Sequence, residues 1–116
     1  MKRWIYDPHS GGAKIPPKMH EEICKQVEAF ACVRPWYPDI QLKARFKGKF
    51  CYIDTIEQRE GDERLFPLCR LRHLSRGWSI ALFTYSHERY EPCVFASGQW
   101  EGSIEEALAI CDPFII

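Results

Sequence analysis

Apolar residues recur at helical spacing near the start of the chain and at every second position further along. The first pattern follows Pro16 and Pro17, and proline suits the first helical position because its missing N–H is not needed there. Its apolar members are Met19, Ile23, Val27 and Phe30. We predict a helix over about residues 17–32, preceded by an irregular arm over residues 1–15.

The period changes to two at Ile40, which is typical of a half-buried strand. Gly48 and Lys49 then supply a tight turn, and we predict a second strand over Phe50–Ile56. A two-residue turn fixes which residues of the two strands lie opposite each other on the outer side of the sheet. The opposed pairs are Lys47 and Phe50, Arg45 and Tyr52, and Lys43 and Asp54.

The middle of the chain predicts a loop followed by three more strands. The loop is the charged segment Glu57–Arg64. In the hairpin loop Ser75–Gly77, Gly77 is expected to have a positive φ, and Pro92 places the last strand at a sheet edge. The predicted strands are Leu65–Leu74, Trp78–Tyr85 and Tyr90–Ala96.

A second helix and an apolar tail complete the pattern. Ser103 and Glu106 have capping-box spacing, so a helix should run from there to Cys111 and stop at Pro113. The tail 114–116 must pack on the domain or be covered by a partner. The order α-β-β-β-β-β-α predicts one α+β domain over residues 1–116, with an antiparallel sheet of about five strands and one helix at each end.

Composition and charge narrow the functional classes. The chain is 46% hydrophobic with 4 Trp, 5 Tyr and 7 Phe, which excludes a disordered tail. Basic and acidic residues balance at 16 each, so binding to nucleic acid would need a local basic patch. No apolar run reaches the ~18 residues of a membrane span, and no signal peptide is recognisable. We therefore expect a cytoplasmic protein that does not insert into membranes.

The 6 cysteines are expected to be free thiols, because no C-x-x-C pair occurs and the cytoplasm is reducing. His20 and Cys24 lie one helical turn apart and could share a metal ion. A structural zinc site needs four ligands, however, and the sequence offers no second pair at suitable spacing. We expect no metal and no cofactor.

Several motifs resemble those of a family of small, uncharacterised bacterial proteins. They are YDPHSGGAKIP at 6–16, FKGKFCYID at 46–54, PLCRLRH at 67–73, and WSIALFTYSHERYEPCVFASGQWEGSIEEAL at 78–108. The resemblance covers nearly the whole chain and implies one complete bacterial domain. Since the family has no established activity, it implies no catalytic residues.

The basic strand gives the first candidate site. Lys43, Arg45 and Lys47 share a face with Tyr52, and Arg70 and Arg72 share a face of the third predicted strand. Sheets that combine rings with cations bind single-stranded nucleic acids, since rings stack on bases and cations contact phosphates. The alternative is structural: an ion pair between Lys43 and Asp54, and a cation–π contact between Arg45 and Tyr52.

The arm gives the second candidate, an anion-binding or partner-binding loop. It would use His9, Ser10, Gly11 and Gly12. The glycines are adjacent and no strand precedes them, so neither a Walker loop nor a dinucleotide loop is present. The turn-forming pairs in this stretch favour a structural arm.

No catalytic group emerges from the sequence. Cys69 and His73 lie about 13 Å apart along one strand, beyond the reach of a general base, and nothing in the sequence orients His87. We expect a non-catalytic binding or adaptor domain, with another protein or a second copy bound through the apolar C-terminal tail as one possible partner. The alternative is binding of single-stranded nucleic acid, which is not favoured at this point. An enzyme without a recognisable motif is third.

Overall fold

A computed structural model describes residues 11–115 of the chain and confirms the α+β architecture. All neighbouring strands are antiparallel, and the sheet order β1-β2-β3-β4-β5 follows the sequence. β5, which contains Pro92, therefore lies at an edge as predicted. The elements are α1 (Pro17–Ala31), β1 (Ile40–Lys47), β2 (Phe50–Arg59), β3 (Asp62–His73), β4 (Trp78–Thr84), β5 (Arg89–Cys93), α2 (Ile104–Cys111) and a 3-10 helix (Asp112–Phe114).

Both helices pack on the same face of the sheet. α1 contacts β1 and α2, and α2 also contacts β4. The apolar stripe of α1 supplies Ile23, Val27 and Phe30 to the core, where burial of each such side chain stabilises the fold by about 1.5–3 kcal/mol. Among the residues that face them are Leu42, Cys51, Ile53, Cys69, Leu71, Ile80, Ala107, Leu108 and Cys111.

The predicted register of β1 and β2 is confirmed. Lys47 lies opposite Phe50, Arg45 opposite Tyr52, and Lys43 opposite Asp54. Because side chains alternate between faces, these residues lie on the side of the sheet away from the helices. We call this side the outer face.

The predicted loop Glu57–Arg64 is wrong. β2 continues to Arg59 and β3 begins at Asp62, so only Glu60 and Gly61 form the turn. Both have a positive φ, 51° and 84°, as tight hairpin turns require. The charged side chains at the end of this hairpin are exposed on both faces and carry no apolar alternation, which explains why the pattern did not reveal the strands.

β3 contains a proline in its interior, Pro67. The register between β2 and β3 shifts at Ile53 and Asp54, which leaves Leu68 without an opposed residue. Proline has no N–H to donate to a ladder, and a β-bulge lets pairing resume on both sides of it.

The predicted positive φ of Gly77 is confirmed, with a value of +159°. A second constraint also acts there, because a Cβ would lie 2.9 Å from the carbonyl oxygen of Gly102. That oxygen accepts a hydrogen bond from Trp78 N at 2.9 Å, so it cannot move away freely. Gly77 is required by a close approach of two backbones.

The second helix begins as predicted. Ser103 Oγ accepts from Glu106 N at 3.1 Å, and Glu106 Oε1 accepts from Ser103 N at 3.0 Å. After α2 the chain continues into the 3-10 helix rather than stopping at Pro113. Of the apolar tail, Ile115 is buried in the core and Phe114 is 69% exposed. Neither helix in the described part of the chain is long and apolar enough to cross a membrane.

Candidate functional site

The outer face brings together the basic and aromatic residues that the sequence singled out. Tyr52 lies opposite Arg70, and Phe50 lies opposite Arg72. On β1, the side chains of Lys43, Arg45 and Lys47 are exposed along the edge of the sheet. β1, β2 and β3 therefore place cations on both sides of the two rings.

The guanidinium groups of this face lie over rings. The Cζ atom of Arg45 is 4.5 Å from the centroid of Tyr52, which is the predicted cation–π contact. Arg70 Cζ is 4.5 Å from the centroid of Phe50 and 5.4 Å from that of Tyr90. Such contacts hold long, flexible cations in place on the sheet.

The rings themselves form a continuous row across the sheet. Centroid distances are 6.1 Å from Phe50 to Tyr52, 5.5 Å from Tyr52 to Tyr90, and 5.1 Å from Tyr90 to Phe83. Tyr52 on β2 and Tyr90 on β5 are separated by β3 and β4, and at the level of Tyr52 the β4 residue on this face is the small Ala81, opposite Arg70. We call these four rings the aromatic row.

Sequence reasoning did not include Tyr90 and Phe83 in the candidate site. β4 is apolar on both of its faces, so alternation alone could not say which residues face the helices. The pairing of β3 with β4 reveals the position of Phe83. Arg70 is opposed to Ala81, and Phe83 follows two residues later on the same face.

The expected ion pair between Lys43 and Asp54 is replaced by another. Asp54 Oδ2 accepts a hydrogen bond from Arg45 Nε at 2.8 Å. This bond to Asp54 raises the pKa of Arg45 further, so the guanidinium stays charged. Asp54 is only 3% exposed, and its Oδ1 has no hydrogen-bond partner among the described residues.

The outer face is locally basic although the chain has zero formal net charge. The buried carboxylate of Asp54 is already bound by Arg45. The cations of the outer face and of the adjoining β1–β2 turn are Lys43, Arg45, Lys47, Lys49, Arg70 and Arg72. Burial raises the pKa of Tyr90, so this ring remains a neutral phenol at ordinary pH.

Arg72 differs from the other cations of the face because it is 4% exposed. Its Cζ lies 5.3 Å from the ring of Phe50. The arm passes close by: a Cβ on Gly12 would lie 3.0 Å from Arg72 Cγ. A guanidinium covered in this way supports the ring more readily than it contacts a phosphate.

The described part of the arm is fastened to the sheet. Ala13 N donates to the carbonyl oxygen of His73 at 3.0 Å, and Ile15 N donates to Gly48 O at 3.0 Å. Gly12 has a φ of +99° and lies against the backbone of His73, so a larger residue would not fit. His9 and Ser10 lie outside the described residues. Gly11 and Gly12 thus belong to a docked arm at the edge of the outer face.

The remaining candidate residues have structural partners. The ring of His20 stacks on Phe46 at 3.9 Å between centroids. The Cys69 thiol is hydrogen-bonded to Cys111, which together with burial raises its pKa, and His73 Nδ1 lies 3.2 Å from Ala13 O. Within residues 11–115, no three His, Cys, Asp or Glu side chains are grouped as metal ligands would be.

His87 has an orienting partner that the sequence did not reveal. Its Nδ1 lies 2.8 Å from Glu91 Oε1, which also accepts from Arg89 Nε at 3.2 Å. Hydrogen bonds from Arg89 and His87 lower the pKa of Glu91. All three side chains lie at the exposed β4–β5 turn, where nothing excludes water.

No family model, no curated protein and no solved structure matches the chain. The interpretation of the outer face therefore rests on its own geometry.

Proposed function

We propose that this protein is a non-catalytic binding domain and that its outer face binds single-stranded nucleic acid. The observation that carries the proposal is the interleaving of cations and rings on the sheet face opposite the helices. Both helices, as described, pack on the other face. The solvated face of an antiparallel sheet is commonly polar, whereas this one carries a row of four rings among its cations.

The chemistry of the two kinds of side chain matches that of the ligand. Unpaired bases stack on aromatic rings and on guanidinium planes, and each stacked base contributes about 1–3 kcal/mol to binding. Arg45 lies over the half-buried ring of Tyr52 and Arg70 over that of Phe50, and a base would stack on the solvent side of these ring–guanidinium pairs. Lys43 and Lys47 stand on the β1 edge, where they can contact the phosphates between the stacked bases.

The site is held in place before a ligand arrives. Arg45 is fixed by Asp54 at 2.8 Å and by the ring of Tyr52, so little side-chain freedom remains to be lost on binding. Arg70 is held between Phe50 and Tyr90. The contacts that support a structural interpretation of these residues thus also preorganise them for binding.

The cellular setting belongs to the proposal as well. We propose a bacterial cytoplasmic protein, in agreement with the motif resemblance and with free thiols at all 6 cysteines.

An adaptor domain that binds another protein is the second candidate. The observation in its favour is an exposed apolar side chain away from the outer face, Phe114, which is 69% exposed. A protein partner would cover this side chain and leave the cations of the outer face in solvent.

Fluorescence anisotropy with a labelled oligouridine and a labelled oligothymidine at low salt tests the proposal. We expect micromolar binding of both. Tyr52→Leu keeps an apolar side chain in the strand but removes the ring, so it should weaken binding by about 1–3 kcal/mol. Lys43→Ala with Lys47→Ala should weaken binding to both sequences alike, because phosphate contacts carry no sequence information.

The matched control is Lys18→Ala, an exposed cation on α1, which should leave binding unchanged. Arg45→Ala is a poor probe because it leaves the buried carboxylate of Asp54 without its partner and so destabilises the fold. The proposal is wrong if neither oligonucleotide binds at low salt, or if Lys18→Ala weakens binding as much as the β1 variants.

A further inference from the structure

A cavity of about 530 Å³ opens at the end of the sheet remote from the arm. This volume lies within the ~300–1,000 Å³ of small-molecule sites in proteins. Its walls are mostly apolar and come from the start of β1, the second half of β2, the middle of β3, the end of β4 and the residues after α2. They include Ile40, Phe66, Leu68, Leu82, Phe83 and Phe114.

Three of the hydroxyl groups that line the cavity donate their protons to backbone carbonyl oxygens. Tyr85 Oη donates to Pro67 O at 2.7 Å, and Thr84 Oγ1 donates to Arg89 O at 3.1 Å. Thr55 Oγ1 donates to Phe66 O at 3.4 Å. A hydroxyl has one proton and two lone pairs, so these oxygens can still accept hydrogen bonds but cannot donate them to a ligand.

A carboxylate adds to this set of acceptors. Glu57 lines the cavity and its side chain is 24% exposed. Arg59 Nε approaches Glu57 Oε2 at 3.7 Å, which is too long for a hydrogen bond. Because the Arg59 side chain is itself 74% exposed, its charge is largely screened by water. The carboxylate of Glu57 thus retains lone pairs and charge for a further cation.

From this geometry we propose that the cavity binds a small molecule with an apolar body and an ammonium group. The body fills the apolar walls, and the ammonium donates to Glu57 and to the hydroxyl oxygens. The ring of Phe66 adds a favourable environment for a cation. A carboxylate or phosphate ligand would be repelled by the charge of Glu57 and would find the protons of three lining hydroxyls already donated, so the cavity disfavours it.

The proposed ligand is different in chemistry from the polyanion assigned to the outer face. The amine site and the nucleic-acid face can therefore fail or succeed independently of each other.

Isothermal titration of the full chain at neutral pH with three matched probes tests the inference. The probes are phenylbutylamine, phenylbutanol and phenylbutyrate, which share an apolar body and differ in the polar group. We expect the amine to bind about tenfold more tightly than the alcohol, since a charge-assisted hydrogen bond is stronger than a neutral one. The carboxylate should bind more weakly than both.

Glu57→Gln keeps the size of the side chain and removes its charge, so it should abolish the preference for the amine while leaving the alcohol unaffected. Glu63→Gln, an exposed residue of the same hairpin, is the control and should keep the preference. Methyl NMR shifts of Leu68 and Leu82 on titration locate the probe. The inference is overturned by equal affinity for amine and alcohol, by no binding of any probe, or by an unchanged preference in Glu57→Gln.

Discussion

Gly102 is the residue at which the fold leaves least room for change. A Cβ there would lie 2.5 Å from Cδ1 of Phe95, whose ring is 2% exposed. The neighbouring backbone is fixed as well, because Gly102 N donates to Trp78 O at 2.9 Å. Neither the ring nor the backbone can move without loss of packing or pairing.

Gly102→Ala should therefore lower the free energy of unfolding by about 1–3 kcal/mol, as overpacked cores generally do. Chemical denaturation measures this directly. In a Phe95→Val background the ring is absent, so Gly102→Ala should lower the free energy of unfolding much less. The two substitutions are expected to be non-additive because the residues are in contact. A wild-type midpoint for Gly102→Ala alone would contradict the close packing of the Phe95 ring against Gly102.

The cysteines differ in reactivity because they differ in burial. Burial raises the pKa of Cys51 to about 12, whereas Cys24 and Cys32 are exposed. The thiolate is the reactive form. Below pH 12 the unfolded chain releases the Cys51 proton before the folded chain does, so this residue makes the fold less stable as the pH rises towards that value.

Brief alkylation of the native protein without reductant should modify Cys24 and Cys32 first and leave Cys51, Cys69 and Cys111 unmodified. Full modification should require denaturant. Peptide mass spectrometry reads out each site. A native disulfide, or fast labelling of Cys51, would contradict the thiol assignment and the packing of α2 on the sheet.

For individual residues, the sequence correctly predicted the free thiols and the cation–π contact between Arg45 and Tyr52. It also predicted the positive φ of Gly77, but not the second constraint on that residue, which comes from Gly102, distant in sequence. It also paired Asp54 with Lys43, since opposition across the strands was the available information. The guanidinium of Arg45 reaches the carboxylate diagonally and binds it instead.

Among the elements, α2 depends most on local chemistry because it has only 8 residues. Isolated helices shorter than about 12 residues are marginal in water, so its first turn needs support. The capping box supplies this by satisfying the N–H groups of Ser103 and Glu106.

Ser103→Ala should lower the unfolding free energy by about 0.5–2 kcal/mol, because the Glu106 N–H loses its acceptor. Ser103→Asp should stay near wild type, since aspartate is an equally good cap and favours the helix dipole. Thermal melts of both variants give the comparison. Equal loss in the two variants would mean that the hydroxyl has a role other than capping.

The sequence predicted the boundaries of a helix or strand where its apolar pattern extends to both ends of that element. β1 begins and ends where the alternation does, and the Gly48–Lys49 turn fixed its register with β2. The far half of the β2–β3 hairpin could not be predicted, because its charged ends carry no alternation. The bulge beside Pro67 could not be predicted either, because it is defined by the pairing of β2 with β3.

On the scale of the whole molecule, the formal net charge is zero, but the charged side chains are distributed unequally between the helical layer and the outer face. The helical layer carries exposed carboxylates at Glu21, Glu22, Glu28, Glu105 and Glu106. The outer face carries the cations described above. Such a separation attracts a polyanion to the sheet and repels it from the helices, which raises the rate of productive encounter.

The sequence alone could not choose between a structural sheet face and a binding one. It predicted the cations on the outer side of β1 and β2, but the position of both helices decides whether that side is available. Helix placement depends on packing against β1 and β4, which no short pattern in the chain specifies.

The salt dependence of oligonucleotide affinity tests the central claim most directly. If the outer face binds phosphates, the logarithm of the association constant should fall linearly with the logarithm of salt concentration, with a slope of about −0.7 per neutralised phosphate. Removing both Lys43 and Lys47 should make the slope less negative by about 1.4. A slope near zero, or an unchanged slope in that variant, would contradict nucleic-acid binding by this face.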